Sequence, residues 1–349
     1  MTDYRQMWTD LDMDLETHDQ LCAVLPAAFG DTYLSQENRP ENMAFYDFVV
    51  SEIHGVRPAE LIELQKEGGK VFGTFCVFVP DEVVVACGGA VTGLCGGSQF
   101  WVPEGEKVLP SDMCPLVKAS LGAHFGKTCP YFSVADMYVG ETTCDGKKKA
   151  YEILGADKRT YVMDMPQMKR PKDIEKWTGE IADFAHEVES VTGRALTPEA
   201  LGAAIRLIND KRRALARVFE ARKAEGCIPI SGKDALLMMQ IAFFDDPARC
   251  AEMANKLADE LEQLGVRLRL GEEYLQNIDE EVLFRTPGMR WFTPELTAAR
   301  ERGVVVTSEM ELFFDLCPCP IYAVTGSDGK TTSTTLIATL LREEGNTVH

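Results

Sequence analysis

The sequence predicts an α/β fold: one α/β lobe with extensive helices, followed by a smaller α/β piece that ends in a phosphate loop and a helix. Three observations carry that prediction. β-Branched and aromatic residues cluster in short runs between residues 70 and 87, the texture of buried strands. Long stretches with helical periodicity fill residues 173 to 264. An apolar run, a glycine loop and a helical pattern follow one another between 321 and 345. With 349 residues, 45% of them hydrophobic and 26% charged, the chain has material for two ordinary cores.

Taken in order, residues 1–66 read as a polar helical segment. Amphipathic stretches run from Asn42 to Ile53 and from Ala59 to Lys66, the second preceded by Pro58, a residue suited to a first helical turn. Residues 67–172 read as a cysteine-rich α/β region. Lys70–Val79 and Val83–Cys87 are expected to be buried strands. The glycine-rich stretch from Gly88 to Gly97 lacks the G-x-G-x-x-G spacing of a dinucleotide loop. Short apolar segments then alternate with polar turns, and a helix is expected to begin near Glu141–Lys149 and run through Leu154. Its three lysines read either as an anion site at a helix start or as a solvated face. Residues 173–261 are helical, with Thr197-Pro198-Glu199 as a start signal, and helices are expected over Gly232–Phe244 and from Asp246 to Leu264.

Fifty-five acidic residues against 36 basic ones leave a net charge of −19, which argues against a nucleic-acid partner. The longest nearly apolar run, Val83 to Cys95, is too short to span a bilayer. The acidic first 25 residues carry no secretory signal pattern. A cytoplasmic chain with no membrane partner is the expectation.

Cysteine is the feature that points to chemistry. Six of the eleven, Cys76, Cys87, Cys95, Cys114, Cys129 and Cys144, lie within 69 residues. A reducing compartment disfavours disulfides, and none of the six forms the tight C-x-x-C knuckle of structural zinc. Gaps of 11, 8, 19, 15 and 15 residues put the thiols on separate loops or strand ends, a pattern that suits an iron–sulfur cluster. For any single one of them, a small buried hydrophobe is the alternative. The five histidines are scattered singly, and none is assigned a metal.

The runs GTFCVFVPDEVVVACGG (73–89), LCGG (94–97), DMCPLVKASLG (112–122), TCPYF (128–132) and VGETTCDGKKKAYEIL (139–154) resemble the 2-hydroxyacyl-CoA dehydratase and benzoyl-CoA reductase superfamily, and within it the double-cubane-cluster proteins. The resemblance extends over residues 30–261. It implies an iron–sulfur reductase or dehydratase subunit that receives low-potential electrons singly from an ATP-dependent 4Fe–4S activator protein and acts on an acyl-CoA or other small molecule. It further implies cluster ligation by Cys76, Cys95, Cys114, Cys129 and Cys144, with Cys87 in the core, and pairing of lobes in a homodimer. Glu141, Asp145 and Lys147 are the nearest candidates for proton delivery, against a reading as helix-start and surface charges.

From residue 265 the motifs change. GVRLRLGEEYL (265–275), EEVLFRTPGMR (281–290) and the stretch 293–345 are similar to the UDP-N-acetylmuramoylalanine–D-glutamate ligases, members of the Mur ligase family. In that reading Ile321–Thr325 is a strand. Gly326, Ser327, Asp328, Gly329, Lys330, Thr331 and Thr332 then form a loop for ATP and Mg, with backbone N–H groups around phosphates and Lys330 at the terminal ones. Val324 stands where the usual phosphate loop has its first glycine. The resemblance implies a truncated, Rossmann-like α/β piece spanning 265–349. The join falls in the word Glu260–Gly265, and each parent family implies further domains that this sequence does not carry. A chimeric chain, inactive as written and prone to aggregation, is the expectation, with a ligase fragment as the alternative functional reading.

Overall fold

A computed structural model describes residues 4–94, 97–222, 229–263, 275–276, 278, 280–285, 289–324 and 330–345. The chain forms two compact units, Met1–Leu268 and Arg269–His349.

The first unit opens with four helices: α1 (Arg5–Asp10), α2 (Leu15–Phe29), α3 (Met43–Ser51) and α4 (Val56–Lys66). The α/β part follows as β1 (Lys70–Thr74), α5 (Asp81–Ala86), β2 (Gly89–Gly93), α6 (Val102–Gly105), α7 (Pro115–Phe125), α8 (Pro130–Val134), β3 (Met137–Glu141), α9 (Asp145–Gly155) and β4 (Thr160–Met163). Four further helices complete it: α10 (Pro171–Thr192), α11 (Pro198–Ala221), α12 (Gly232–Ile241) and α13 (Pro247–Gln263). The strands form one parallel sheet in the order β2-β1-β3-β4. Parallel strands must be covered on both faces, and they are. Phe72, Met137, Val139 and Met163 pack with Val83 and Val84 of α5 and Phe184 and Val188 of α10. Val71 and Tyr138 face the larger core built from α4, α7, α8, α9 and the later helices. Helices α11 and α13 meet through Ala214, Val218, Ala254 and Ala258, all buried, small side chains that let two helix axes approach.

The α/β fold and helices α10 to α13 agree with the sequence reading, and residues 223–228 and 264 of the expected helical stretch lie outside the described residues. Strand expectations are corrected. Lys70–Val79 is strand only over Lys70–Thr74, with bends and turns over 75–79. Val83–Cys87 lies in helix α5 up to Ala86 rather than in a strand. Pro80 occupies its N-cap and Asp81 and Glu82 its first turn, and these start signals outweigh the β-propensity of three valines. The strand is instead Gly89–Gly93, inside the glycine-rich stretch. It pairs residue by residue with β1, Lys70 opposite Gly89 through Thr74 opposite Gly93. Glycine is required there by the close approach of neighbours: a Cβ on Gly89 would lie 2.8 Å from Val84 Cγ1.

The second unit contains β5 (Val282–Phe284), α14 (Pro294–Glu301), β6 (Val305–Thr307), α15 (Glu309–Leu316) and α16 (Lys330–Glu343). β5 and β6 pair in parallel, and Leu296, Ala299 and Ile278 form its small core. The Trp291 ring is flanked by Arg300 and Arg285, whose guanidinium carbons lie 4.3 and 5.1 Å from its centroid. The strand expected at Ile321–Thr325 is not formed over Ile321–Val324, and Thr325 lies outside the described residues. An apolar run becomes a strand only where a neighbour supplies its ladder of hydrogen bonds, and the described part of this unit pairs only β5 with β6.

No helix among the described residues is long and apolar enough to cross a membrane.

Candidate functional site

In the first unit the chain runs from β1 through α5 to β2 on one side, then returns past β1 to place β3 on the other. That reversal leaves a crevice beyond the carboxyl ends of β1 and β3, the usual ligand position in open α/β sheets. Cys76 lies two residues past the end of β1. Cys144 lies three residues past the end of β3 as the N-cap of α9, where its Sγ accepts the Lys147 backbone N–H at 3.4 Å. Cys114 is the N-cap of α7, followed by Pro115 at the first helical position. The first turns of α7 and α9 converge: Leu116, Val117, Lys147, Tyr151 and Phe75 border one narrow gap. Met113, beside Cys114, lies so close to Gly146 that a Cβ there would sit 2.8 Å from its Sδ. Cys114 and Cys144 are exposed and Cys76 half-buried, and among the described residues the three do not form a group whose ligand atoms all lie within 4.8 Å of one another.

Cys129 is also a helix N-cap, before Pro130 of α8, but it is buried. Burial pushes its thiol up to about 11, against the lowering effect of hydrogen bonds from the Phe132 and Tyr131 backbone. Cys95 lies outside the described residues. Cys87 is fully buried beside Val83 and Val84, as expected of a core residue. The sequence reading put the thiols on loops or strand ends. In fact three of them, Cys114, Cys129 and Cys144, cap helices. The Cys-Pro pairs at 114–115 and 129–130 carried that signal.

Beneath the thiols sits a buried carboxylate. Glu141 ends β3 with its side chain fully enclosed. Its Oε1 takes a short ion-paired hydrogen bond from Lys147 Nζ and a 2.7 Å bond from Thr143 Oγ1. Its Oε2 accepts from the Tyr151 hydroxyl at 3.2 Å. Burial and the charge of Glu141 hold the Tyr151 phenol well above its ordinary range. Gly140 makes this arrangement possible, since a Cβ at that position would fall 2.4 Å from the Tyr151 ring. Asp145 is fully exposed and pairs with Lys148 at 3.2 Å. Lys149 pairs with Glu152 at 2.9 Å. Each of the three lysines therefore faces a carboxylate of its own neighbourhood, and the run is not an open anion site.

A cavity of about 560 Å³ lies elsewhere, along the β2 edge between Gly89–Val91, Leu64, Lys211 and Arg249. Its cations are committed: Arg249 to Glu60 at 2.7 Å and to Asp245, and Lys211 to Asp81 at 3.3 Å. It shares no lining residue with the gap between the first turns of α7 and α9. Far apart in sequence, His18 and His54 meet at 2.9 Å beside Cys22, a juxtaposition that single scattered histidines did not announce.

In the second unit, Lys330, Thr331 and Thr332 open α16 and are exposed. Gly326, Ser327, Asp328 and Gly329 lie outside the described residues.

A family model described as the 2-hydroxyglutaryl-CoA dehydratase D-component matches residues 76–310. The chain belongs to that family. The match begins at Cys76, the first of the candidate thiols, and ends within α15. A protein of Escherichia coli (strain K12) named as a dehydratase subunit, YjiM, is 38% identical over 222 residues, which cover 63% of this chain and 56% of that protein. The chain also aligns with UDP-N-acetylmuramoylalanine–D-glutamate ligases. The one from Acetivibrio thermocellus is 57% identical over 94 residues, 26% of this chain and 20% of the ligase. The one from Clostridium botulinum (strain Hall) is 46% identical over 107 residues, 30% and 23% respectively. The chain thus spans about half the length of its dehydratase relative and under a quarter of these ligases. One dehydratase-family sequence carries a ligase-like segment, consistent with a chimeric chain. Residues 265–310 fall both within the family match and within the stretch whose motifs are ligase-like.

Proposed function

We propose that residues 1–261 form the cluster-bearing lobe of an iron–sulfur reductase or 2-hydroxyacyl-CoA dehydratase-like subunit of the double-cubane type, served by an ATP-dependent 4Fe–4S activator. The observation that supports it is that Cys76 follows β1 while Cys114 and Cys144 cap α7 and α9, whose first turns border one gap, in a chain that belongs to the dehydratase D-component family. These thiols fit the group. They lie just past β1 and at the N-caps of α7 and α9, and they are open enough to be reached. Cys95 completes the set on the proposal, and Cys129 joins it only if its buried thiol is drawn out of the core.

A bound iron–sulfur cluster supplies single low-potential electrons. The protein's own part is to hold and move protons beside it. Glu141 Oε1 is the acceptor, Lys147 Nζ the donor that reaches solvent, and Tyr151 keeps the carboxylate oriented through Oε2. Asp145, on the exposed first turn of α9, exchanges protons with bulk water at the rim. The substrate is a small molecule, with an acyl-CoA as the class the family name favours, and a second copy of the lobe is the proposed partner in a dimer.

Anaerobic reconstitution of the full chain tests the reading. Iron and inorganic sulfide are expected in equal amounts, but below the about eight of each that two fused cubanes hold, and Cys114→Ser and Cys144→Ser should each lower both by half or more. Iron without sulfide, or counts indifferent to both variants, would overturn it.

A second reading belongs to the C-terminal unit alone. The ligase alignments support residues 326–332 as the remnant of an ATP and Mg site, with Lys330 as its cation and the Thr331 and Thr332 hydroxyls toward the metal. Protection of residues 320–335 from hydrogen exchange on adding Mg–ATP is the expected outcome. Unchanged exchange discards it.

A further inference from the structure

Metal-binding side chains meet away from the sheet end, among the N-terminal helices. His18 and Cys22 lie one turn apart on α2, so they project from the same helix face. His54, in the turn after α3, comes to meet them. His18 Nε2 lies 2.9 Å from His54 Nδ1, Cys22 Sγ lies 3.4 Å from His18 Nε2, and all three atoms fall within 4.8 Å of one another. Among the described residues, this is the group of three histidine, cysteine or acidic side chains with that property. None of the three belongs to the thiol set at the sheet end.

We propose that His18 Nε2, His54 Nδ1 and Cys22 Sγ form a binding site for a divalent transition metal of the zinc class, with a fourth position left to water. Tetrahedral zinc, with about 2.0–2.1 Å to nitrogen and about 2.3 Å to sulfur, sets its nitrogen ligands about 3.3 Å apart and nitrogen and sulfur about 3.6 Å apart. The observed 2.9 and 3.4 Å need only a few tenths of an ångström of opening. Two imidazoles with one thiolate make a mixed soft set that suits zinc better than a hard ion such as Mg.

The surroundings hold the ligands in place. The Trp8 ring lies 4.3 Å from the His18 ring, and its Nε1 donates to the His54 carbonyl at 2.8 Å. Tyr4 lies so close to Gly55 that a Cβ there would meet its ring at 2.2 Å, which fixes the backbone beside His54. Both histidines are buried. Cys22 is only half-buried, which leaves a way in for an ion. Binding releases one proton, from the Cys22 thiol to solvent, and the histidine that donates in the N···N contact takes its other tautomer.

The test is peptide-resolved alkylation of the full apo chain with and without equimolar Zn²⁺. Zinc should slow alkylation of Cys22 at least tenfold in the wild type, and His54→Gln should abolish that protection while leaving circular dichroism unchanged. Tetrahedral Co²⁺, read by its thiolate charge-transfer band, should lose one equivalent in Cys22→Ser but none in the Cys317→Ser, Cys319→Ser double variant. If His54→Gln does not fold, the wild-type protection and the Cys22→Ser cobalt titration decide alone. Cys22 alkylated at the same rate with zinc present, or cobalt stoichiometry unchanged in Cys22→Ser, overturns the proposal.

Discussion

Helices α9 and α16 both open with a lysine-bearing turn after a glycine-containing segment, and they end in opposite surroundings. In α9 the lysine reaches a fully buried glutamate, the cap is a cysteine, and Ala150, Tyr151 and Leu154 dock in the main core. Helix α16 buries none of its described residues, and Leu336 and Leu340 remain 59% and 57% exposed. The local sequence patterns are comparably strong. What differs is whether a sheet stands behind the helix, as β3 and β4 stand behind α9. A phosphate-loop motif supplies a helix start, but a site also needs the strands that position it.

Substitutions at the two helices should break the parallel unevenly. The largest effect is expected from Glu141→Gln, which removes the fully enclosed carboxylate charge that Lys147 pairs with. Losing one partner of a buried pair costs about 3–5 kcal/mol, read as a lower midpoint in urea unfolding. Leu154→Ala removes a fully buried side chain and should cost about 2–5 kcal/mol, whereas Leu340→Ala in α16 should stay within about 0.5 kcal/mol. Equal losses at the two leucines would mean that α16 is packed as firmly as α9. Gly140→Ala sharpens the same point: its Cβ must displace the Tyr151 ring, an overpacking cost of about 1–3 kcal/mol.

The smallest expected effect is a pH dependence at the far end of α9. His124 bonds the Tyr138 hydroxyl at 2.9 Å and Asp157 at 2.7 Å. Burial lowers its pKa below the usual 6.5, with Asp157 opposing. A histidine whose folded pKa is depressed binds fewer protons folded than unfolded, so its contribution is fully present above pH 6.5 and fades as pH falls below it. His124→Gln should therefore flatten part of the acid limb of the stability curve. An unchanged limb would assign that slope to other groups.

Much of this was legible in the sequence. The α/β class, the helices α10 to α13 and the helix through Leu154 follow from periodicity and start signals. Val83–Cys87 misled because β-branched residues look like strand until the proline and two acids ahead of them are weighed. Gly89–Gly93 was missed as a strand because glycine has no β-propensity, and its pairing with β1 is set by close backbone approach. The thiols stand out by their clustering, yet the capping role of Cys114 and Cys129 lay in the two Cys-Pro pairs. The meeting of His18, Cys22 and His54 was invisible, since only the packing of α2 against the turn after α3 joins positions 36 residues apart. Glu141 was singled out by its motif, but its burial beneath Lys147 and Tyr151 depends on Gly140 and could not be read from spacing.

The central claim is that Cys76, Cys114 and Cys144 serve one cluster at the carboxyl end of the sheet, while the thiols of the ligase-like unit do not. Anaerobic alkylation mapping of the full chain, before and after reconstitution with iron and sulfide, tests it directly. Cys76, Cys114 and Cys144 should become protected together, with Cys317 and Cys319 as reactive as before. Protection confined to Cys317 and Cys319, or reconstituted protein in which Cys114 and Cys144 still react at the apo rate, would contradict it.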